Sequence, residues 1–332
     1  MKKLIIIGIL GVCSWVMLHA QSSNYSKILS QNQKITPTFT GDIDGSWRLL
    51  TNFKTVRTAS FNYNYFTATY DQPLYIKNRK FGVGVHAMND EIGGQYLSIQ
   101  KAQLALAYHP MIRGNIVSVG LQAGYVNYNS NLDNELWPNQ YDEVYERFDG
   151  SFDSHENIDE RIAYMDVGLG VKWRRRINNL TPEVGLNVPH LNSPNVSAAG
   201  GTARLNPDLL ATAGLKWNIN HRWYSLSEFV YNSNQHERKL FYGEIISYVI
   251  SNDFMEKSVF AGVFLNNKYN ESFSITPMAG LNYNQIHLAF SYDINYSSLK
   301  EYVSVQGPFE ITIAFMALSN RFNRVSLPCI RF

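Results

Sequence analysis

Apolar and polar residues alternate with a period of two along most of this chain, most cleanly between residues 79 and 127. Phe81, Val83, Val85 and Ala87 alternate with Gly82, Gly84, His86 and Met88. Leu104, Leu106 and Tyr108 alternate with Gln103, Ala105, Ala107 and His109. After the turn Met111-Ile112-Arg113-Gly114, the residues Val117, Val119, Leu121, Ala123 and Tyr125 alternate with Ser118, Gly120, Gln122 and Gly124. A period of two means strands with two unlike faces. The same division recurs over 163–174, 209–219, 286–294 and 309–317, and helical periodicity is absent. The pattern predicts fourteen strands, near 46–54, 60–71, 80–88, 99–109, 114–127, 162–174, 180–189, 205–219, 222–231, 236–249, 257–267, 272–282, 284–294 and 309–319.

Three observations turn the apolar face toward lipid rather than toward a protein core. The apolar set carries an aromatic at or near its end (Tyr125, Trp173, Trp217, Tyr292, Phe309), where an interfacial girdle belongs, while the other set holds glycine and charge. With the amino terminus placed in the periplasm, the three longest connections, 128–161, 190–204 and 295–308, all fall on the outside. The chain opens with Met1-Lys2-Lys3, an apolar run from Leu4 to Leu18, and His19-Ala20-Gln21, which reads as a signal peptide cut after Ala20. No later stretch approaches eighteen consecutive apolar residues. An exported chain without such a stretch spans a membrane only as a closed barrel. The expected fold is therefore all-β: a transmembrane, antiparallel, up-and-down β-barrel of about 14 strands. Its expected parts are a signal peptide at 1–20, a periplasmic lead-in at 21–45, the barrel at 46–319 and a periplasmic tail at 320–332.

Composition narrows the function. A net charge of +2 with dispersed basic residues gives no nucleic-acid surface. Loss of Cys13 with the signal leaves Cys329 alone, so no internal disulfide is expected. The eight histidines are scattered without i,i+4 or cysteine partners, and no metal or other cofactor is expected. Residues 133–160 hold ten carboxylates and the single basic residue Arg147, but Asp149-Gly150-Ser151-Phe152-Asp153 lacks the ligand order of a calcium loop. This segment reads as a solvated outer loop whose Trp137, Tyr141, Tyr145 and Phe148 fold over the barrel mouth. Asp153-Ser154-His155 has the letters of a hydrolase triad, but adjacent residues cannot form one.

The set of motifs resembles the PorP/SprF family of type IX secretion system outer-membrane proteins. The lead-in Thr36-Pro37-Thr38-Phe39-Thr40-Gly41 is similar to the family's Asn-Pro-Ala-x-x-Gly. Phe81-Gly82-Val83-Gly84-Val85, followed by Asn89-Asp90-Glu91-Ile92-Gly93, is similar to its Gly-x-Gly strand and Asn-Asp-x-x-Gly. Leu121-Gln122-Ala123-Gly124-Tyr125, Ser291-Tyr292-Asp293-Ile294-Asn295 and Gly307-Pro308-Phe309-Glu310-Ile311 follow in the family's order. Thr36 and Thr38 depart from the usual Asn and Ala. The resemblance implies a non-enzymatic barrel in the outer membrane of a Gram-negative-type bacterium. Its implied partners are the lipid bilayer, periplasmic and outer-membrane secretion components, and a secreted or surface adhesin engaged through its C-terminal domain. It also makes Asn89, Asp90 and Gly93 an external signature loop.

Asp293 and Glu310 fall on the lumen side by alternation, because a charge on the lipid face at mid-depth is costly. The expected arrangement is an interior salt-bridge network with Lys172, Arg174 and Lys216. Two other functions remain open on the sequence: a channel for a small solute, and a surface adhesin acting through the loop 128–161. A plugged interior with paired charges favours a scaffold, and an open polar bore favours a channel.

Overall fold

The computed structural model describes residues 36–58, 62–92, 97–130, 141–142, 147–148, 161–197, 201–234, 238–251, 257–268, 272–297 and 305–317. The expected signal peptide, the C-terminal tail 320–332, Gly93 and most of the acidic loop 133–160 lie outside the described residues. Beside a separate two-stranded ribbon, Tyr141–Asp142 with Arg147–Phe148, fourteen strands form the wall when interrupted ones are counted once. They are β1 (Arg48–Thr58), β2 (Asn62–Ile76), β3 (Arg79–Ile92), β4 (Leu97–Tyr108, continued by Met111–Ile112), β5 (Asn115–Ser130), β6 (Arg161–Arg175) and β7 (Leu180–Val188). There follow β8 (Leu209–Asn218), β9 (Trp223–Ser233), β10 (Arg238–Ser251), β11 (Lys257–Lys268), β12 (Ser272–Tyr283), β13 (Ile286–Tyr292 with Ile294–Ser297) and β14 (Val305–Met316). Each pairs antiparallel with its chain neighbours. β14 returns to β1, with Leu50 opposite Ala314 and Asn52 opposite Thr312, and the sheet closes.

The burial pattern is the reverse of that in a water-soluble domain. Leu104 is 65% exposed and Phe290 52%, whereas Lys172 is 1% exposed and Asp166 is fully buried. The outward set is therefore predominantly apolar and most charged residues turn inward, as a barrel in hydrocarbon requires. Exposed aromatics mark both rims: Trp217, Trp223 and Tyr283 at the end with short turns, Tyr125 and Tyr296 at the other. The short turns are built for hairpins. Lys77 and Asn78 both take positive φ between β2 and β3, and Arg113 and Gly114 do so after β4. We assign that end to the periplasm.

β13 runs further than its sequence pattern predicts, to Ser297, and is interrupted once. Ile275 pairs with Ile294 and Met278 with Ser291, so the ladder lapses where Thr276 and Pro277 meet Tyr292 and Asp293. Pro277 has no N–H to donate, which accounts for the lapse.

The lead-in is the main departure from expectation. Residues 36–45 lie inside the barrel rather than beneath it. A single 3-10 turn at Pro37–Phe39 rests against the lumen faces of β4, β5 and β6. Thr36 is fully buried, Thr38 is 1% exposed and Ile43 6%. Two glycines make the approach possible. A Cβ on Gly82 would stand 1.9 Å from the Thr40 carbonyl oxygen, and one on Gly120 would stand 2.6 Å from the Pro37 carbonyl carbon.

Because that overlap is with backbone, Gly120→Val should destabilise the folded protein by about 1–3 kcal/mol. Gly214→Ala, where the nearest atom to a new Cβ is Glu183 Cβ at 3.8 Å, should be close to neutral. Denaturant unfolding of the refolded barrel in detergent micelles measures both.

Candidate functional site

Among the described residues, the ion pairs gather in the lumen, in three separate groups. The first anchors the lead-in at the periplasmic end. Alternation along β6 turns Lys172 and Arg174 inward, where Lys172 Nζ lies 2.7 Å from Asp42 Oδ2 and Arg174 Nη2 2.9 Å from Asp42 Oδ1. Lys80 on β3 adds a longer contact of 3.7 Å to the same carboxylate and donates to the Ile43 carbonyl at 2.9 Å. Glu183 on β7 approaches Lys172 at 3.4 Å. Lys172 also sits over the Phe39 ring, 3.6 Å from its centroid, a cation–π contact to the lead-in itself. Asp71 on β2 accepts from Arg48 Nε and Nη2, each at 2.9 Å, and from the Gly41 N–H at 2.7 Å.

His109, in the break of β4 between Tyr108 and Met111, completes the anchor. Its Nε2 lies 2.9 Å from the Thr40 carbonyl and its Nδ1 2.8 Å from Ser118 Oγ. A carbonyl only accepts, so Nε2 carries the proton and Nδ1 accepts from the Ser118 hydroxyl. Burial lowers the pKa of His109, which keeps the ring neutral. For Asp42 burial acts to raise the pKa, but Lys172 and Arg174 outweigh it and hold the carboxyl well below the usual carboxylate range.

The second group staples the seam where the barrel closes. Asp293 accepts from Lys54 Nζ at 2.8 Å and from Thr276 Oγ1 at 2.7 Å. Lys54 lies on β1 and Asp293 on β13, so this ion pair reaches across β14. Glu310 on β14 accepts from the Asn52 amide, which also donates to Thr312 Oγ1 at 2.8 Å. The third group lies toward the external mouth, where Asp166 meets Lys101 at 3.0 Å and His190 at 2.8 Å.

The residues expected to form one interior network are thus divided. Lys172 and Arg174 belong to the lead-in anchor, Asp293 and Glu310 to the seam, and Lys216 to neither. Lys216 is half-buried, with its ammonium 4.4 Å from the Tyr224 ring centroid. These residues stand on strands that are not all neighbours in the wall, so each charge pairs with a nearby strand or with the lead-in. Asn89 and Asp90, expected in an external loop, stand within β3, because its ladder with β2 continues to Ile92 opposite Tyr63. Asn89 donates to Glu91 at 2.7 Å, and Asp90 is buried on the lumen side.

Asp42, Asp71, Arg48, Asp166, His109 and His190 escaped the sequence reading. Glycines at corresponding positions of neighbouring strands (82, 120 and 170) were the available signal that something must fit against them. The other arc of the lumen carries an apolar cluster among its polar residues, which alternation with glycine and charge did not foretell. Leu210, Val230, Phe241, Ile245, Phe260, Phe264, Met278 and Ala289 form a buried cluster there. Among the described residues no three His, Cys, Asp or Glu side chains gather as a metal site.

A closed antiparallel wall, apolar outside and charged inside, defines an outer-membrane β-barrel. Its sequence matches the family described as type IX secretion system membrane protein PorP/SprF over residues 18–315. The chain belongs to the PorP/SprF family, and fold and family together place it in the outer membrane. No curated protein matches it. Among solved structures, it is similar to the toluene transporter TbuX of Ralstonia pickettii, with 10% identity over 87% of this chain and 93% of that one and a TM-score of 0.53. The CymD monoaromatic hydrocarbon channel gives 11% identity over 87% and 93%, with a TM-score of 0.54. The Pseudomonas putida toluene transporter TodX gives 11% identity over 90% and 95%, with a TM-score of 0.51. At such identities these likenesses concern the fold.

Breaking the buried Asp42–Lys172 pair from one side should be costly. Lys172→Met is expected to lower stability by about 3–5 kcal/mol. The double variant with Asp42→Asn should lose clearly less than the sum of the single losses, as a double-mutant cycle in micelles would register. Since the Asp42 pKa is lowered on folding, its contribution is fully present above the ordinary carboxylate pKa near 4. It should be lost only as pH falls through the depressed value, so resistance of the lead-in to protease should persist at about pH 4–5 and fail in stronger acid.

Proposed function

We propose that this barrel serves type IX secretion as a non-catalytic scaffold that recruits the apparatus and its secreted substrate. In this reading the periplasmic turns and termini meet other secretion components. The external loops meet the exported protein, including a large surface adhesin presented through its C-terminal domain, and the role extends to gliding where the bacterium glides. The observation that carries the reading is the lead-in: residues 36–45 lie in the periplasmic part of the lumen and are tied to one arc of its wall by buried ion pairs. A wall whose interior is occupied by its own chain is suited to holding partners at its ends. Family membership supports the same reading.

A second reading, a channel for a small apolar solute, draws on the apolar arc from Leu210 to Ala289. The barrels with a similar fold, toluene transporters and a monoaromatic hydrocarbon channel, agree with it only distantly.

Deletion of the gene, followed by proteomics of medium and cell surface, tests the scaffold. Loss of one or more exported proteins is expected, and unchanged export of every substrate would reject the reading. Planar-bilayer recording separates the alternatives: the scaffold predicts little steady conductance from the purified protein, whereas a stable open bore would favour the channel.

A further inference from the structure

Glu244 breaks the rule of the outer wall. The residues of β10 that share its face are Leu240, Tyr242, Ile246, Tyr248 and Ile250, and its neighbours Tyr242 and Ile246 are 43% and 49% exposed. Glu244 stands six residues in from Arg238, the external end of β10. At about 3.3 Å per residue and a tilt of about 40°, that is roughly 15 Å below the rim, near the middle of an apolar band about 25 Å tall. No glutamate side chain reaches the headgroups from there. Its described hydrogen-bond partner is the Tyr242 hydroxyl, which donates to Oε2 at 3.2 Å.

Across the neighbouring strands the side chains beside this carboxylate are short. Ser227 and Val263 stand directly opposite it on the two neighbouring strands. Pro277 follows Val263 on β12, and Ala261 and Ala279 lie one row toward the periplasm. Small side chains let another backbone come close within a membrane. An ionisable group at this depth is expensive to leave without a partner, and charged groups inside membranes are generally paired.

A second copy of this chain is poorly suited to supply the partner. A two-fold contact through this patch would set Glu244 against Glu244. The described basic residues that alternation puts on the outer face (Arg57, Arg79, Arg161, Arg175, Arg238 and Lys257) all lie at or next to strand ends, far from mid-depth.

We propose that the outer face of β9–β12 is a lateral docking surface for a different membrane-embedded polypeptide, one that brings a lysine or arginine to Glu244 at mid-bilayer. This goes beyond the secretion reading, since it concerns the lipid-facing wall rather than the lumen or loops. The test places a photoreactive benzoylphenylalanine at Val263 and, as a control on the far wall, at Leu121, each expressed in its own outer membrane. The expected result is an adduct from position 263 alone, whose cross-linked peptide maps to a membrane-spanning segment containing Lys or Arg. Glu244→Leu should cut that adduct about tenfold, the effect of removing one charge-assisted bond, while Glu244→Gln retains part of it.

Heat-modifiable migration on gels checks that both variants still form the barrel, as they should, because Glu244→Leu only removes a charge from hydrocarbon. An adduct of this chain with itself, adducts with lipid alone, equal adducts from both positions, or an adduct indifferent to Glu244→Leu would each overturn the proposal. Export measured in the same strains reports on the secretion reading separately.

Discussion

In hydrocarbon a backbone N–H or C=O has no water to turn to, so every one in the wall must be paired within the wall. The pairing of β1 with β14 is what meets this demand. Without it the sheet would have two open edges in lipid, and the pairing holds only if the strands are even in number and alternate in direction. It explains why the seam carries polar reinforcement. Lys54–Asp293 and Asn52–Glu310 tie the first strand to the last two from the lumen side, where charge is tolerated. The lapse in the ladder at Pro277 lies beside the same Asp293, and its carboxylate also takes the Thr276 hydroxyl, so side-chain bonds bridge a gap that the backbone leaves.

Closure creates an interior, and the interior sets the second problem. A lumen lined with Lys172, Arg174 and Lys80 on one arc would be a positive cavity within the membrane. The lead-in resolves this by delivering Asp42 between the three cations and by stacking Phe39 beneath Lys172. The depressed Asp42 pKa reflects that arrangement, with attraction exceeding the cost of burial. The opposite arc uses other means, filling its share of the lumen with Phe241, Phe260, Phe264 and their neighbours. Two halves of one barrel are thus held by different physics: ion pairs to an internal segment on one side, apolar packing on the other.

Much of this was legible in the alternation. Val83 and Val85 outward with Gly82 and Gly84 inward, Lys172 and Arg174 inward opposite Val171 and Trp173, and the inward placement of Asp293 and Glu310 all follow from a period of two. What alternation cannot give is which inward residues meet. Lys172, Asp293 and Lys216 share the lumen face, yet β13 lies far around the ring from β6 and β8. Nor did it show that 36–45 is internal, because a polar segment with one short 3-10 turn has no periodicity to read. Glu244 was visible as a single break in an apolar stripe; its meaning depended on knowing which way the stripe faced and how deep it lay.

The sequence by itself determined the strands, their two faces, their even count and the solvent each face demands, because those properties repeat every two residues and need no knowledge of distant neighbours. Only the tertiary structure decided the contents of the lumen and the partners of each charge. Those depend on which strands curvature brings within a few ångströms, and on an approach of Thr40 to Gly82 and of Pro37 to Gly120 that joins residues some forty and eighty positions apart.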